Sequence, residues 1–205
     1  MTTNNKYDDL EEIELAESNK PSFEDKNNDG NKKTNNSTFR EFLSYVKIIV
    51  IAIGIAYICN QFIIVNAKVP TGSMKDTIME GNRLIGFRLS YLFTDPKRLD
   101  VVIFKYPDDE NIDYIKRVIG LPGDIVQIKS GVLYINGDVY NEDYLKEPMV
   151  GDFGPFSVPE GHYFMLGDNR NDSKDSRFWI NKYVSENKIL AKAIFKYYPY
   201  LGEIE

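Results

Sequence analysis

Val132-Leu133-Tyr134-Ile135-Asn136-Gly137-Asp138-Val139-Tyr140 is a stretch in which two short β-prone runs flank a two-residue turn. Asn-Gly is the dipeptide that most favours the left-handed backbone of a tight hairpin loop. The stretch therefore predicts an antiparallel β-hairpin with Asn136 and Gly137 at its tip.

Runs of the same kind continue on both sides of this hairpin. They are rich in β-branched and aromatic residues and are separated by Gly, Asp, Asn and Pro, which is typical of strands joined by turns. The runs are residues 101–104, 114–119, 125–128 and 194–195. Because no long helical period appears here, the sequence predicts a mostly antiparallel β domain over residues 66–205.

A long apolar run lies before this domain, from Ser44 to Val65. About 20 apolar residues can cross the hydrocarbon core as a helix, so we predict one transmembrane anchor over residues 42–65. A buried core helix is the alternative, but little in so short a chain could enclose it. No Ala-x-Ala signal follows the run, which favours a retained anchor over a cleaved signal peptide.

The charges around the run predict its orientation. Basic residues are more frequent on its N-terminal side, which favours a cytoplasmic N-terminus and an external β domain. They are Lys32, Lys33, Arg40 and Lys47, against Lys68 and Lys75 on the other side. We therefore expect a single-pass protein of the cell membrane, in contact with the lipid bilayer.

Composition limits the partners and the kinds of site that this chain can have. Residues 1–38 are rich in Asn, Lys, Asp, Glu and Ser, and are predicted to be a disordered cytoplasmic tail. The net charge of -6 argues against nucleic acid as a partner. With one cysteine and one histidine, neither an internal disulfide nor a structural zinc site is expected. The histidine, His162, is interpreted as a strand-end residue, so a hydrolase here would need another base.

A candidate nucleophile directly follows the anchor, in Val69-Pro70-Thr71-Gly72-Ser73-Met74. A serine in such a turn is usually structural. Gly72 permits a close substrate approach, however, and the Thr71 hydroxyl is placed to donate to a developing oxyanion. A serine hydroxyl needs a base to remove its proton, and without a usable histidine a neutral lysine is the natural substitute.

Lys116 is the best candidate for that lysine. Strand alternation puts it on one face with Tyr114 and Val118, where its ammonium group would lose water. Lys75 lies in a polar turn and Lys105 at a strand end, where both should be solvated. A surface strand lysine remains the alternative for Lys116.

The segment from Gly167 to Trp179 is unusually polar. An EF-hand calcium loop would need Gly at its sixth position, where Ser173 stands. A hydrogen-bonded loop fixed by an Asp175–Arg177 ion pair, with a serine that supports the base, is the better interpretation. A solvated polar loop is the alternative.

Four segments, taken in order, resemble the sequence boxes of bacterial type I signal peptidases. They are Thr71-Gly72-Ser73-Met74, residues 97–104, residues 114–124, and Gly167-Asp168-Asn169-Arg170 continued through Ser173 to Asp175-Ser176-Arg177. The resemblance covers about residues 40–200. The single anchor and a small insertion, about 131–160, resemble the Gram-positive members.

The resemblance implies a signal-peptidase-like antiparallel β fold and a membrane-bound serine endopeptidase. Its substrates would be secretory preproteins, cut after small residues of the Ala-x-Ala type, with no metal or cofactor. Ser73 would be the nucleophile and Lys116 its base. The Ser73 N–H and the Thr71 hydroxyl would form the oxyanion hole. Ser173 would orient the lysine, and Asp175 and Arg177 would stabilise the site.

The chain departs from the family pattern in three places. Thr71 replaces a more usual Ser, Asp76 replaces Pro, and Ile180 stands where Gly is usual. Thr71 keeps the hydroxyl, and Asp76 is expected to face solvent. We also expect part of residues 84–87 and 91–93 to face lipid, with plain core packing as the alternative.

Three other functions fit the sequence less well. A self-cleaving repressor-type Ser-Lys protease would need a DNA-binding module where the apolar run lies. A sortase would need a catalytic cysteine, but Cys59 lies inside that run. A non-catalytic anchored β domain would leave the matched boxes unexplained.

Overall fold

The computed structural model describes residues 33–204 of the chain. The predicted disordered tail lies outside these residues except for 33–38, which are helical. The chain divides into two units that meet between Ile51 and Ala52.

Helix α1 spans Lys33–Ile58 and is followed by a π-helical turn over Cys59–Ile63. Its apolar side chains are exposed, with Ile48 at 62% and Ile53 at 64%. The helical stretch Thr38–Ile63 is long and apolar enough to cross a membrane, and none of its most apolar window is buried. The alternative of a buried core helix is therefore wrong for the described residues.

Twelve strands follow in the part of the chain that the structure describes. Two short 3-10 turns, Arg88–Tyr91 and Glu186–Lys188, lie between them. The strands are β1 Ile64–Lys68, β2 Arg83–Phe87, β3 Val101–Tyr106, β4 Asp109–Gly120, β5 Ile125–Lys129, β6 Val132–Ile135, β7 Asp138–Val139, β8 Phe153–Ser157, β9 His162–Leu166, β10 Val184–Ser185, β11 Ile189–Tyr198 and β12 Gly202–Glu203.

The strands form two antiparallel sheets. The larger has the order β1-β2-β11-β3-β4-β9-β10, with β12 beside β11, and the smaller has the order β7-β6-β5-β8. The prediction of a mostly antiparallel β domain is confirmed. The smaller sheet starts with β5, a few residues before the expected start of the insertion at about 131.

The hairpin at Asn136 and Gly137 is also confirmed. Ile135 pairs with Asp138, and the two tip residues have φ angles of 56° and 93°. Both values lie in the left-handed region that the Asn-Gly dipeptide tolerates.

Buried apolar side chains hold the candidate catalytic residues in position. Met74 and Ile78 are at most 1% exposed and pack with Leu84 and Ile103, which anchors the turn that carries Ser73. A second cluster around Val102, Val118 and Trp179 packs along β3, β4 and β9. A third joins the two sheets through Ile119, Phe164 and Val126.

Candidate active site

Ser73 lies in a compact turn of residues 71–78 between β1 and β2, the nucleophile turn. The Lys75 N–H donates to the Gly72 carbonyl at 2.9 Å, and the Ile78 N–H donates to the Met74 carbonyl at 2.7 Å. With Met74 buried beneath it, Ser73 is held half-buried at the mouth of a cleft. The Thr71 and Ser73 hydroxyl oxygens are 3.5 Å apart.

Lys116 meets this serine from the centre of the larger sheet. It pairs with Val102 in the β3–β4 register and is only 3% exposed. Its Nζ is hydrogen-bonded to the Ser73 Oγ, across 43 residues of sequence. The Tyr114 ring, on the same face of β4, lies 5.5 Å from Nζ, as the strand alternation predicts.

Burial changes the proton affinity of this lysine. Loss of water around the ammonium group lowers the pKa of Lys116 to about 8, although the carboxylates of Asp175 and Asp168 oppose the shift. Lys116 can therefore lose its proton under mild conditions, which an exposed lysine cannot.

The polar segment after β9 is an ordered loop rather than a solvated one. Asp175 is fully buried and makes a bidentate ion pair with Arg177, with both N···O distances at 2.8 Å. The Arg177 guanidinium also donates to the Arg170 carbonyl at 2.7 Å. The Ser176 N–H donates to the Met165 carbonyl at 3.1 Å, which ties the loop to β9.

Ser173 lies in this loop without forming the contact expected of it. It is 8% exposed, and its hydroxyl has no hydrogen-bond partner within residues 33–204. It packs against Gly167, where an added Cβ would stand 2.2 Å from the Ser173 Oγ and 2.4 Å from the Ser73 carbonyl oxygen. Only glycine fits between the loop and the nucleophile turn.

Three further hydrogen bonds join the loop to the nucleophile turn. The Asn169 N–H donates to the Ser73 carbonyl at 3.1 Å, and the Asn169 Nδ2 donates to the Gly72 carbonyl at the same distance. The Thr77 hydroxyl donates to the Asp168 carboxylate at 2.5 Å.

Sequence reasoning missed the partner of Asp168. Arg117, the neighbour of Lys116, forms a buried bidentate pair with it, at 2.8 and 2.7 Å. Alternation placed Arg117 on the face away from Lys116, but nothing local identified a partner 51 residues away. The matched family boxes contained both residues and were the one available signal.

The cleft at Ser73 has a volume of about 530 Å³. It is lined by β1 and the turn after it, by residues 112–116 of β4, and by Ile78 and Ile103. His162 lines a different cleft, and its Nδ1 lies 2.9 Å from the Glu160 carbonyl oxygen. Lys75 is exposed and Lys105 pairs with Asp113 at 2.7 Å, so neither competes with Lys116.

Asp76 faces solvent, as expected. Its carboxylate pairs with Lys146 at 3.0 Å, and its φ angle of 82° is in the left-handed region. Proline locks φ near -65° and cannot adopt this conformation. The backbone of this turn therefore differs from one that a proline would allow.

Asp76→Pro is expected to destabilise the protein by about 1–3 kcal/mol and to lower its activity, because the turn must rearrange. Thermal unfolding of the two proteins in the same detergent measures the first effect. Asp76→Gly is the matched control, since it removes the ion pair but permits the positive φ. An Asp76→Pro protein at least as stable as Asp76→Gly, or a tenfold faster one, would contradict the expectation.

Comparison with known proteins adds to this geometry. The family model "Signal peptidase, peptidase S26" matches residues 42–198. Signal peptidase I of Bacillus licheniformis is 38% identical over 83% of this chain and 92% of its own length. Signal peptidase I T of Bacillus subtilis is 35% identical over 84% of this chain and 94% of its own length.

A solved structure is also similar. The crystal structure of a signal peptidase I from Enterococcus faecalis is 35% identical, covers 48% of this chain and 97% of that chain, and has a TM-score of 0.43. The family match spans most of the chain, and the two Bacillus relatives match it over nearly their whole length. The chain therefore belongs to the signal peptidase family, peptidase S26, and is a serine peptidase.

Proposed function

We propose that this protein is a membrane-bound endopeptidase that removes signal peptides from secretory preproteins with a Ser73–Lys116 dyad. The observation that carries the proposal is a buried lysine hydrogen-bonded to a serine at the mouth of an open cleft. Family membership supplies the substrate class.

The chemistry follows from the two side chains. Neutral Lys116 takes the proton of the Ser73 hydroxyl while the Ser73 Oγ attacks the scissile carbonyl. The Ser73 N–H and the Thr71 hydroxyl donate to the resulting oxyanion, and the Ser73 N–H has no acceptor among residues 33–204. The tetrahedral intermediate expels the amine of the mature protein, which receives the proton from Lys116. Water, deprotonated by Lys116, then hydrolyses the acyl-enzyme and restores Ser73.

The supporting residues act through the loop. In the proposal, Asp175 and Arg177 fix the loop that covers the dyad. Ser173 supplies a buried hydroxyl beside the nucleophile turn, and its free hydrogen-bonding capacity suits a contact with Lys116 during the reaction. Ser173→Ala should therefore reduce kcat and leave KM unchanged, and an unchanged kcat would contradict this contact.

The membrane anchor is part of the same proposal. Helix α1 would cross the cell membrane with its N-terminus in the cytoplasm, so that the β domain lies outside. Ser73 follows the π-helical turn by ten residues, and an extended chain covers roughly 3.3 Å per residue, which keeps the site near the membrane. A substrate that is itself held in the bilayer would gain effective concentration there.

One part of the expected lipid-facing stretch remains available for that contact. Leu84 is buried in the core, whereas Leu92 and Phe93 are 62% and 88% exposed. We propose that these two side chains enter the bilayer surface. Flotation of residues 64–205 with liposomes tests this, and equal binding by Phe93→Asp would count against it.

The activity itself is tested with a secretory precursor that carries Ala-x-Ala at its junction. The detergent-solubilised protein should cut after the second Ala, and Ser73→Ala should not. A precursor with both Ala residues changed to bulky Leu is the substrate control, and it should remain intact. Equal cleavage by Ser73→Ala would disprove the nucleophile, and equal cleavage of both precursors would disprove the specificity.

The pH dependence of cleavage tests the base. Only neutral Lys116 accepts the proton, so kcat/KM should be fully developed above the pKa of about 8 and fall tenfold per pH unit below it. The profile is measured from pH 6 to 10 with a peptide substrate. A kcat/KM that still rose tenfold per pH unit up to pH 10, as the ordinary lysine value of 10.5 requires, would mean that Lys116 is solvated in solution.

A further inference from the structure

Residues 141–150, between β7 and β8, contact the active-site loops from outside. The Glu142 carboxylate forms a bidentate pair with Arg170, with both N···O distances at 2.5 Å. The Tyr144 hydroxyl accepts from Arg170 at 2.9 Å and donates to Glu142 at 2.5 Å. The side chains of Arg170 and Glu142 are buried, at 1% and 8% exposed, and Tyr144 is half-buried.

Arg170 connects this cluster to the nucleophile turn through Gly167. Its Nε donates to the Gly167 carbonyl at 3.0 Å. Gly167 in turn fits tightly against the Ser73 carbonyl oxygen and the Ser173 side chain. Glu142 is thus joined to the nucleophile turn by two intervening residues.

Tyr144 contacts Arg117, the neighbour of the base Lys116. Its ring lies 4.4 Å from the guanidinium carbon of Arg117, which follows Lys116 on β4. Arg117 is the partner of Asp168, which accepts a hydrogen bond from Thr77 in the nucleophile turn. The ring also lies 5.9 Å from the guanidinium carbon of Arg170, so one tyrosine contacts both arginines.

We propose that Glu142 and Tyr144 are positioning residues that keep Ser73 and Lys116 aligned by holding Arg170 and Arg117. The inference rests on the proposed dyad. Neither residue lines the substrate cleft, so their effect should be on the chemical step and not on substrate binding.

The test compares kcat and KM for Glu142→Gln and Tyr144→Phe at a temperature where both are folded. Small misplacements of reacting groups cost up to about 100-fold in rate, so we expect kcat to fall about 10- to 100-fold in Glu142→Gln, with KM within twofold of wild type. Tyr144→Phe keeps the ring and loses the hydroxyl, so its kcat should fall less. Glu142→Asp should recover part of the lost kcat.

Glu110→Gln is the matched control, since Glu110 pairs with Lys188 on the surface, and its kcat should equal that of wild type. Wild-type kcat in Glu142→Gln, even with reduced thermal stability, would overturn the proposal. So would a raised KM with unchanged kcat.

A second measurement does not depend on cleavage. Hydrogen exchange at the Asn169 amide, which donates to the Ser73 carbonyl, should be faster in both variants and unchanged in Glu110→Gln. Unchanged exchange in Glu142→Gln would overturn the positioning role whatever the activity. An inactive wild-type protein would instead disprove the proposed function alone.

Discussion

Lys116→Met should lower kcat by about 10⁴-fold or more, because the loss of a member of a catalytic pair leaves only the weak contribution of the remaining site. Methionine has nearly the length of lysine and is apolar, so it suits a position that is 3% exposed. The protein should therefore fold with the Ser73 hydroxyl in place but without a base. Initial rates on an Ala-x-Ala peptide, measured beside thermal unfolding, separate lost chemistry from lost fold.

Two variants sharpen this result. Lys105→Met is the matched control, since Lys105 is a strand lysine on the neighbouring β3 that pairs with Asp113 near the surface. Its kcat should stay within a fewfold of wild type. Lys116→Arg should be as inactive as Lys116→Met, because a guanidinium does not lose its proton in proteins. Activity above a tenth of wild type in Lys116→Met would mean that Ser73 uses another base.

The strands were predictable because they are local patterns. A period of two residues assigned Lys116 to the face of Tyr114, and the ring contact confirms it. The hairpin needed only the dipeptide Asn136-Gly137. The helix needed only length and apolarity.

The polar network could not be predicted in this way. The Arg117–Asp168 pair closes over 51 residues and the Arg170–Glu142 pair over 28, and neither has a periodic signature. Charged side chains are common in every loop, so the partner of each is decided by the fold. The Asp175–Arg177 pair was the exception, because its members are two residues apart.

The backbone conformation of the nucleophile turn also could not be predicted from the sequence. The positive φ of Asp76 follows from how residues 74–78 close over the buried Met74 and Ile78, and an aspartate does not demand it. The family pattern has Pro at this position, and Pro requires a negative φ, whereas the φ of Asp76 is 82°. The packing of the turn, rather than the conformational preference of the residue, determines the φ angle at this position.

Asp175→Asn should cost about 3–5 kcal/mol of stability, since it leaves the Arg177 cation buried without a counter-charge. The geometry explains why an amide cannot substitute. One carboxylate oxygen accepts from the Arg177 Nε, and the other accepts from the Gly167 N–H at 3.1 Å and the Arg177 Nη2 at 2.8 Å. Either orientation of Asn would therefore point its NH₂ group at a donor. Chemical denaturation in detergent measures the loss.

Asp175→Asn should also change the pKa of the base, Lys116. The Asp175 carboxylate raises the pKa of Lys116, so its removal should lower that pKa further and move the acidic limb of kcat/KM below pH 8. Asp138→Asn, an exposed change on β7, should leave both stability and the limb unchanged. A limb that stayed in place while stability fell would separate the two roles of Asp175. It would mean that the Asp175 carboxylate holds the loop but does not raise the pKa of Lys116. Removing a nearby negative charge must lower that pKa if the two groups interact.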